Sequence, residues 1–244
     1  MASEGAVIWA ERAQAELGAA RRFRVLADGL EAVGVQAQLV GLAACAVRDE
    51  EEHAFLCAKM ARALGHETGF AKPEGLSSAA TPSWAERHNA RERVLLDVIA
   101  MCCITESFNA SLLHTLYSRT EAGAARTLLH RILKDEVRHA QLGWALLAAQ
   151  SQDGGCDYVA DHLEEMLDIS VRDAVFLPAA TEDAGESRSI GVLPRAQRRA
   201  HFCATLDEII VPGFAHFGID TTSMTAWRDH KLALHLQEAE APED

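Results

Sequence analysis

The chain has 244 residues, which is enough to bury a substantial core within one large domain. Hydrophobic residues make up 49% of it, led by Ala and Leu with only two Tyr and eight Phe, a balance that favours helices over strands. The formal net charge of −13 argues against a nucleic-acid partner, because nucleic-acid binding relies on clustered Lys and Arg.

Two features of the chain bear on its compartment. The opening residues lack the basic segment and apolar core of a signal peptide, and no apolar run reaches the length needed to span a bilayer. The six cysteines form no C-x-x-C pair and lie mostly in stretches rich in Ala and Leu, which fits a reducing environment. We therefore expect a cytoplasmic protein with no membrane partner.

Helical periodicity dominates the whole chain, and no segment alternates as a β-strand would. In chain order, we predict helices over about 7–27, 36–64, 83–117, 124–149, 157–176 and 195–217. Ser83 is the predicted N-cap of the third helix, and Gly29 to Gly34 is the predicted turn after the first. Long loops are expected at 65–83 and 178–194.

These elements predict an all-α protein in which four long helices form two hairpins joined by a long crossover. We expect one domain over residues 1–244, with a core bundle over about 7–150. Two additional C-terminal helices over about 156–218 are accessory to it, and residues 237–244 are expected to fray.

The second and fourth helices repeat one polar motif. RDEEEHAFLCA at 48–58 and KDEVRHAQLGW at 134–144 share Asp, Glu, two residues, His and Ala. Glu50 and His53 lie on one helix face, as do Glu136 and His139, because residues three apart are neighbours on a helix. A carboxylate beside an imidazole suits iron or manganese. A single pair of this kind is more often an ordinary solvated face.

Two further glutamates lie at the same depth in the partner helices. Glu16 is 34 residues before Glu50 and Glu106 is 30 residues before Glu136, with a turn about midway in each case. Glu106 falls in the apolar stretch MCCITESFNASLL, where an unpaired carboxylate would be costly. Glu11 and Glu31 are the alternatives to Glu16, but the first is out of level and the second falls in the predicted turn.

The connectivity and these residues resemble the ferritin-like di-iron carboxylate proteins over about residues 7–150. WAERAQAE at 9–16 and LDEIIVPGFAHFG at 206–218 are similar to segments of bacterial ferritin-like proteins of unassigned substrate. The resemblance implies two metal ions bridged by Glu50 and Glu136. The full ligand set that it implies is Glu16, Glu50, His53, Glu106, Glu136 and His139. Glu16 and Glu106 would be terminal ligands, and each metal would take one His.

A supporting shell around the histidines follows from the same motif. A metal-bound His donates its other N–H to a carboxylate or a carbonyl. The D-E-x-R-H sequence, with Asp135 and Arg138, resembles the hydrogen-bonded shell of di-iron oxygenases and ribonucleotide reductase small subunits. In the first motif Asp49 matches, but Glu52 stands where Arg is expected. Ordinary surface charge is the alternative interpretation of Asp49 and Asp135.

The resemblance implies an O₂-activating non-haem di-iron oxygenase or oxidase acting on a small organic substrate. It implies two Fe ions, with a manganese–iron pair as the alternative, and O₂ as co-substrate. An electron donor and a homodimeric assembly are further expectations. The alternative function is a ferroxidase or iron-handling protein, although the accessory helices would crowd the packing of a storage cage.

Three cysteines lie close to the motif residues in sequence. Cys102 and Cys103 come one turn before Glu106, and Cys57 comes one turn after His53. We predict that they pack as small residues in a tight bundle. A thiol that lines a substrate cavity is the alternative.

Overall fold

The computed structural model describes residues 4–66, 82–152, 155–171 and 190–240 of the chain. Every regular element in these ranges is helical. The elements are α1 (Glu4–Ala32), α2 (Ala37–Ala63), α3 (Trp84–Arg87), α4 (Ala90–Arg119), α5 (Ala124–Gln152), α6 (157–170), α7 (195–216) and α8 (Thr222–Glu240). Three of them change type along their length: α4, whose π-helical middle is described below, α6 and α7. α6 begins as a 3₁₀-helix at Asp157–His162, and α7 contains a π-helical segment at Leu206–Ile210.

Four long helices form the bundle. α1 packs along α2, α4 packs along α5, and α2 contacts α5 across the two hairpins. The link from α2 to α4 is the long crossover, and most of the predicted loop at 65–83 lies outside the described residues. This arrangement confirms the predicted all-α, ferritin-like four-helix bundle with a long crossover. Most of the predicted loop at 178–194 also lies outside the described residues.

The turn between α1 and α2 comes later than predicted. α1 continues through Gly29, which allows close packing because a Cβ there would lie 3.0 Å from Val94 Cγ2. The helix ends instead at Ala32, and Gly34 follows it with a φ of 70°, in the left-handed region that glycine adopts without strain. Val35 N–H donates to the Leu30 carbonyl and closes a Schellman motif.

The start of α4 also differs from the prediction. Asn89, not Ser83, is its N-cap: Asn89 Oδ1 accepts from the Glu92 N–H at 3.0 Å, and the Glu92 carboxylate accepts from the Asn89 N–H at 3.2 Å. This capping box is written in the sequence as N-x-x-E. Ser83 precedes the short helix α3, and its N–H and hydroxyl both donate to Glu165 of α6.

The middle of α4 is a π-helix from Ile99 to Glu106, which the sequence analysis did not predict. The Ala100 carbonyl accepts from the Thr105 hydroxyl at 3.2 Å and from the Ser170 hydroxyl of α6 at 2.9 Å. π-helical turns are rare and occur frequently at functional sites. This one ends at the glutamate predicted as a metal ligand.

The C-terminal part contains a helix that the sequence analysis missed. α8 runs from Thr222 to Glu240, and residues 241–244 lie outside the described ranges, so the expected fraying of residues 237–244 stays a prediction. Trp227 Nε1 of α8 donates to Asp168 Oδ1 of α6 at 2.8 Å, and Lys231 Nζ lies 2.9 Å from the same oxygen. α8 therefore adds a third accessory helix to the two that were predicted.

Two apolar clusters lie on opposite sides of the level of Glu50 and Glu136 along the bundle. The larger one includes Phe23, Leu30, Leu39, Leu96, Leu142 and Phe214. The smaller one, called here the Trp9 cluster, includes Trp9, Cys57, Leu113, Leu116, Ile132 and Leu193. Both are dry packing that excludes water from the space between them.

One helix among the described residues, Ala90–Arg119, is long and apolar enough to cross a membrane by length and composition alone. Of the residues in its most apolar stretch, 61% are buried inside the protein. The central helix of a helical bundle has the same character.

Candidate metal centre

The structure brings all six predicted ligand residues into two overlapping groups. Glu16, Glu50, His53 and Glu136 form the first group, in which one ligand atom from each residue lies within 4.8 Å of the others. The second group, built on the same criterion, consists of Glu50, Glu106, Glu136 and His139. Glu50 and Glu136 belong to both groups. This is the arrangement expected of two neighbouring metal positions that share two carboxylates.

The site is buried in the middle of the bundle. Glu50 and His53 are 0% exposed, Glu106 and Glu136 are 1% exposed, and His139 is 3% exposed. Glu16 is partly exposed, whereas the alternatives Glu11 and Glu31 are both exposed. Each helix contributes because every third or fourth residue faces the bundle axis.

Both imidazole rings direct Nδ1 toward the shared carboxylates. His139 Nδ1 lies 2.9 Å from Glu50 Oε1 and 3.3 Å from Glu136 Oε2. His53 Nδ1 lies 3.6 Å from Glu50 Oε2 and 3.6 Å from Glu136 Oε1. The two rings therefore approach the same pair of carboxylates from opposite hairpins.

The outer nitrogens of the rings pair with aspartates across the bundle. His53 Nε2 lies 3.1 Å from Asp135 Oδ2, and His139 Nε2 lies 3.3 Å from Asp49 Oδ2. In a neutral imidazole, an Nε2–H that donates to an aspartate leaves Nδ1 without a proton and available to bind a metal. Each aspartate thus orients the histidine of the other motif.

Arg138 links the two aspartates, as its place in the motif suggested. Its Nη2 lies 3.2 Å from Asp49 Oδ2 and 2.5 Å from Asp135 Oδ1. Glu52 occupies the position in the first motif that corresponds to Arg138 in the second. Its carboxylate accepts from Arg131 Nη2 at 2.9 Å. Arg131 Nε also lies 3.8 Å from Asp135 Oδ2. Asp135 therefore faces two guanidinium groups and Asp49 faces one.

Asn109 is a further polar residue at the site that the sequence analysis missed. Its Nδ2 donates to Glu106 Oε2 at 3.1 Å from one turn further along α4. The three-residue spacing on one helix face is the signal by which it could have been found. This contact fixes Oε2 of Glu106, whereas Oε1 makes no hydrogen bond and is free to bind a metal ion.

Several ligand atoms are buried with no hydrogen-bond partner. They are Oε2 of Glu50, Oε1 of Glu106 and Nδ1 of His53, whereas Oε1 of Glu50 has only the close approach of His139 Nδ1 described above. Buried polar atoms without partners cost folding free energy, and coordination of a cation removes that cost. A set of carboxylate oxygens and imidazole nitrogens suits iron or manganese. The residues present therefore fit a pair of such metal ions.

Burial and crowding shift the protonation of the cluster. Burial raises the pKa of Glu16 and of Glu106 well above the ordinary value, and neighbouring carboxylates raise both further. Burial alone would lower the pKa of His53 and His139, but contacts with Glu136 and Glu50 raise each to about 11. In the metal-free protein, two imidazolium charges thus balance part of the buried negative charge. Metal ions would replace those protons.

The three buried thiols near the site are packing groups in the structure. Cys102 and Cys103 lie in the π-helical segment, where burial raises both pKa values well above the ordinary value. Burial raises the pKa of Cys57 to about 12. Neutral thiols of this kind are poor nucleophiles and poor metal ligands.

Replacing Asp135 with Asn tests the role assigned to the outer aspartates. The amide carries no charge to hold the His53 N–H, so we expect metal affinity to fall by roughly 10- to 100-fold. Titration of Mn²⁺ followed by calorimetry measures this change. Asp28→Asn, at an exposed position of α1, is the matched control and should bind as the wild type does. Equal Mn²⁺ affinity in Asp135→Asn and Asp28→Asn would show that Asp135 does not support metal binding.

Comparisons with known proteins give one informative result. No protein-family model matches the chain, and no curated protein matches it in sequence. A solved structure, Protein 19 with aldehyde deformylating oxidase activity from Synechococcus, is similar with a TM-score of 0.51 at 16% identity. The similarity covers 96% of this chain and 88% of that one. At this identity the match supports the shared fold and does not transfer an activity.

Proposed function

We propose that this protein is an O₂-activating non-haem di-iron oxidase or oxygenase that acts on a small organic molecule. The observation that carries the proposal is the pair of buried four-residue ligand groups sharing Glu50 and Glu136. An oxidase with a similar fold is consistent with it. We propose two Fe ions as the cofactor, O₂ as co-substrate and an electron donor as a partner.

In this proposal, Glu50 and Glu136 would be held in common by the two ions, and each remaining ligand would hold one of them. Glu16 and His53 would hold one ion, and Glu106 and His139 would hold the other. When bound, the iron pair supplies the redox chemistry by which O₂ is activated and the substrate oxidised. The protein supplies the ligands and a dry, preorganised setting for that chemistry.

The chain's own residues set the conditions of the reaction. The Trp9 cluster and the larger apolar cluster exclude bulk water from both ends of the site. Asp49, Asp135 and Arg138 fix the orientation of the two imidazole rings. The π-helical segment and Asn109 fix the direction of Glu106. These contacts hold the ligands in place before a metal binds.

The count of bound iron separates this proposal from iron storage. We expect anaerobic Fe²⁺ titration to saturate at two ions per chain, and exposure to O₂ to give one coupled pair in the Mössbauer spectrum. A storage protein would instead continue to take up iron far beyond two ions per chain. That outcome would favour the iron-handling alternative over the proposal.

The pH dependence of stability should report the buried histidines. Because the pKa values of His53 and His139 are raised to about 11, their stabilising contribution is complete below the unfolded value near 6.5 and is lost as pH rises. The raised pKa of Glu106 acts in the same direction. Metal-free protein should therefore lose on the order of a few kcal/mol of unfolding free energy between about pH 6.5 and 8.5.

Urea denaturation in the presence of a chelator measures this loss, and a second series with Mn²⁺ completes the test. Because the metal binds deprotonated ligands, the stabilisation by Mn²⁺ should grow across the same pH range. The lowered pKa of Glu136 does not change the unfolding free energy across this pH range, since its effect is confined to acidic pH. Metal-free stability that is constant or rises with pH would contradict the protonation pattern described above.

A further inference from the structure

A buried guanidinium group lies beside the metal-ligand cluster and takes no part in it. Arg12 precedes Glu16 by one helical turn on α1. Its Nη2 donates to the Gly191 carbonyl at 3.1 Å, and its Cζ lies 4.6 Å from the centroid of the Trp9 ring. These two contacts hold the planar group in one orientation.

The other terminal nitrogen of Arg12 has no partner. Nη1 is buried and makes no hydrogen bond, and no carboxylate in the described ranges lies within ion-pair distance of this side chain. A buried charged donor without an acceptor costs several kcal/mol, so this position needs a ligand or another acceptor. Nη1 is therefore the Arg12 donor that is available to a ligand.

The electrostatic surroundings favour an anion with a single charge. Burial lowers the pKa of Arg12, and the positive charge of Arg198 on α7 lowers it further. Glu16 lies close enough to act in the opposite direction. A monoanion balances the guanidinium groups, whereas a dianion such as phosphate would be repelled by the ionised carboxylates of the cluster.

The material around this charge is apolar. The Trp9 cluster, which contains Leu113, Ile132 and Leu193, occupies the end of the bundle on which Arg12 lies. Trp9 Nε1 donates to the Ile190 carbonyl at 2.9 Å, so the segment before α7 covers this end of α1. The cluster itself is closely packed, and the partly buried residues Ala10, Leu56 and Met60 pack against it and form its rim. An apolar rim with one cationic donor beside it is complementary to a molecule that has an apolar body and one anionic end.

We propose that Arg12 binds the carboxylate group of an organic substrate whose apolar body lies against the rim of the Trp9 cluster. The geometry explains why one guanidinium nitrogen is held by the Gly191 carbonyl while the other is left for a ligand. Binding at Arg12 places the molecule one helical turn from Glu16, and so next to the metal ligands. Its status as a substrate rests on the function proposed above; the binding site itself does not.

The test compares octanoate with octan-1-ol as probes, by calorimetry on the full chain. Wild-type protein should bind octanoate more tightly than octan-1-ol. Arg12→Gln should weaken octanoate binding by about 10-fold or more, because it removes a charge-assisted hydrogen bond, while leaving octan-1-ol unaffected. Arg12→Lys keeps the charge but not the planar donor and should give an intermediate affinity. Arg21→Gln, at an exposed position on the same helix, should match the wild type.

The comparison is made on Mn²⁺-loaded and on metal-free protein, so that the two proposals can fail separately. Octanoate binding that depends on Arg12 in both forms supports this inference whatever the metal content. Normal binding of two metal ions with no octanoate binding would overturn this inference alone. Equal octanoate affinity in wild type, Arg12→Lys and Arg12→Gln would also overturn it.

Discussion

Replacing Glu50 with Ala should abolish stable binding of both metal ions, whereas replacing its neighbour Glu51 with Ala should leave two ions bound. Glu50 is fully buried and belongs to both ligand groups, so its loss removes a donor from each position. Glu51 is exposed and pairs with Arg24 at 2.8 Å on the outside of the bundle. The two substitutions differ by one position on the same helix, which makes Glu51→Ala a matched control.

Metal content after Mn²⁺ loading and gel filtration is the measurement. We expect fewer than one ion per chain for Glu50→Ala and two ions for Glu51→Ala. Circular dichroism shows whether both variants stay helical, and removal of one of four crowded carboxylates should not unfold the metal-free chain. Retention of two ions by Glu50→Ala would show that the shared carboxylate is not a ligand.

Replacing Gly143 with Ala should destabilise the protein by about 1–3 kcal/mol, the usual range for overpacking a tight core. A Cβ at this position of α5 would lie 2.6 Å from Cys102 Cβ and 2.9 Å from the backbone nitrogen of Cys103. Backbone cannot move aside as a flexible side chain can, so α5 must separate from the π-helical segment. Because that segment ends at Glu106, metal affinity should fall as well.

Gly41→Ala should change the free energy of unfolding in the opposite direction. Gly41 is exposed on α2, and nothing lies within 4 Å of a Cβ built there. Alanine in an open helical position stabilises by about 0.5–1 kcal/mol relative to glycine. Urea denaturation of the two variants should therefore give shifts of opposite sign. A neutral or stabilising Gly143→Ala would mean that the close contact between the helices is not maintained in solution.

Helical periodicity was enough to predict the ligand residues as neighbours. Glu50 with His53 and Glu136 with His139 must share helix faces, and antiparallel hairpins return Glu16 and Glu106 to the same level. The prediction holds although the turn comes later than expected. Because α1 extends only a few residues beyond Gly29, Glu16 still lies close to the level of Glu50 along the bundle. The structure confirms the grouping; the binding of metal to it stays a prediction.

Other features depend on contacts that no short sequence pattern encodes. The π-helical segment before Glu106 depends on packing against Gly143 and on the Ser170 hydroxyl of α6. The pairing of Glu52 with Arg131 joins residues 79 positions apart in the chain. The N-cap at Asn89 does not depend on such contacts. Its capping box is written in the sequence as N-x-x-E, and the prediction of Ser83 as the N-cap is wrong. Tertiary contacts therefore decide the details of the site, whereas periodicity decides its location.

Anomalous X-ray diffraction from crystals of the iron-loaded protein tests the central claim most directly. Data collected above and below the iron absorption edge locate iron without relying on any assumed ligand. The account predicts two iron peaks per chain, both next to Glu50 and Glu136, one on the side of Glu16 and His53 and the other on the side of Glu106 and His139. A single peak there, or iron bound only elsewhere on the protein, would contradict it.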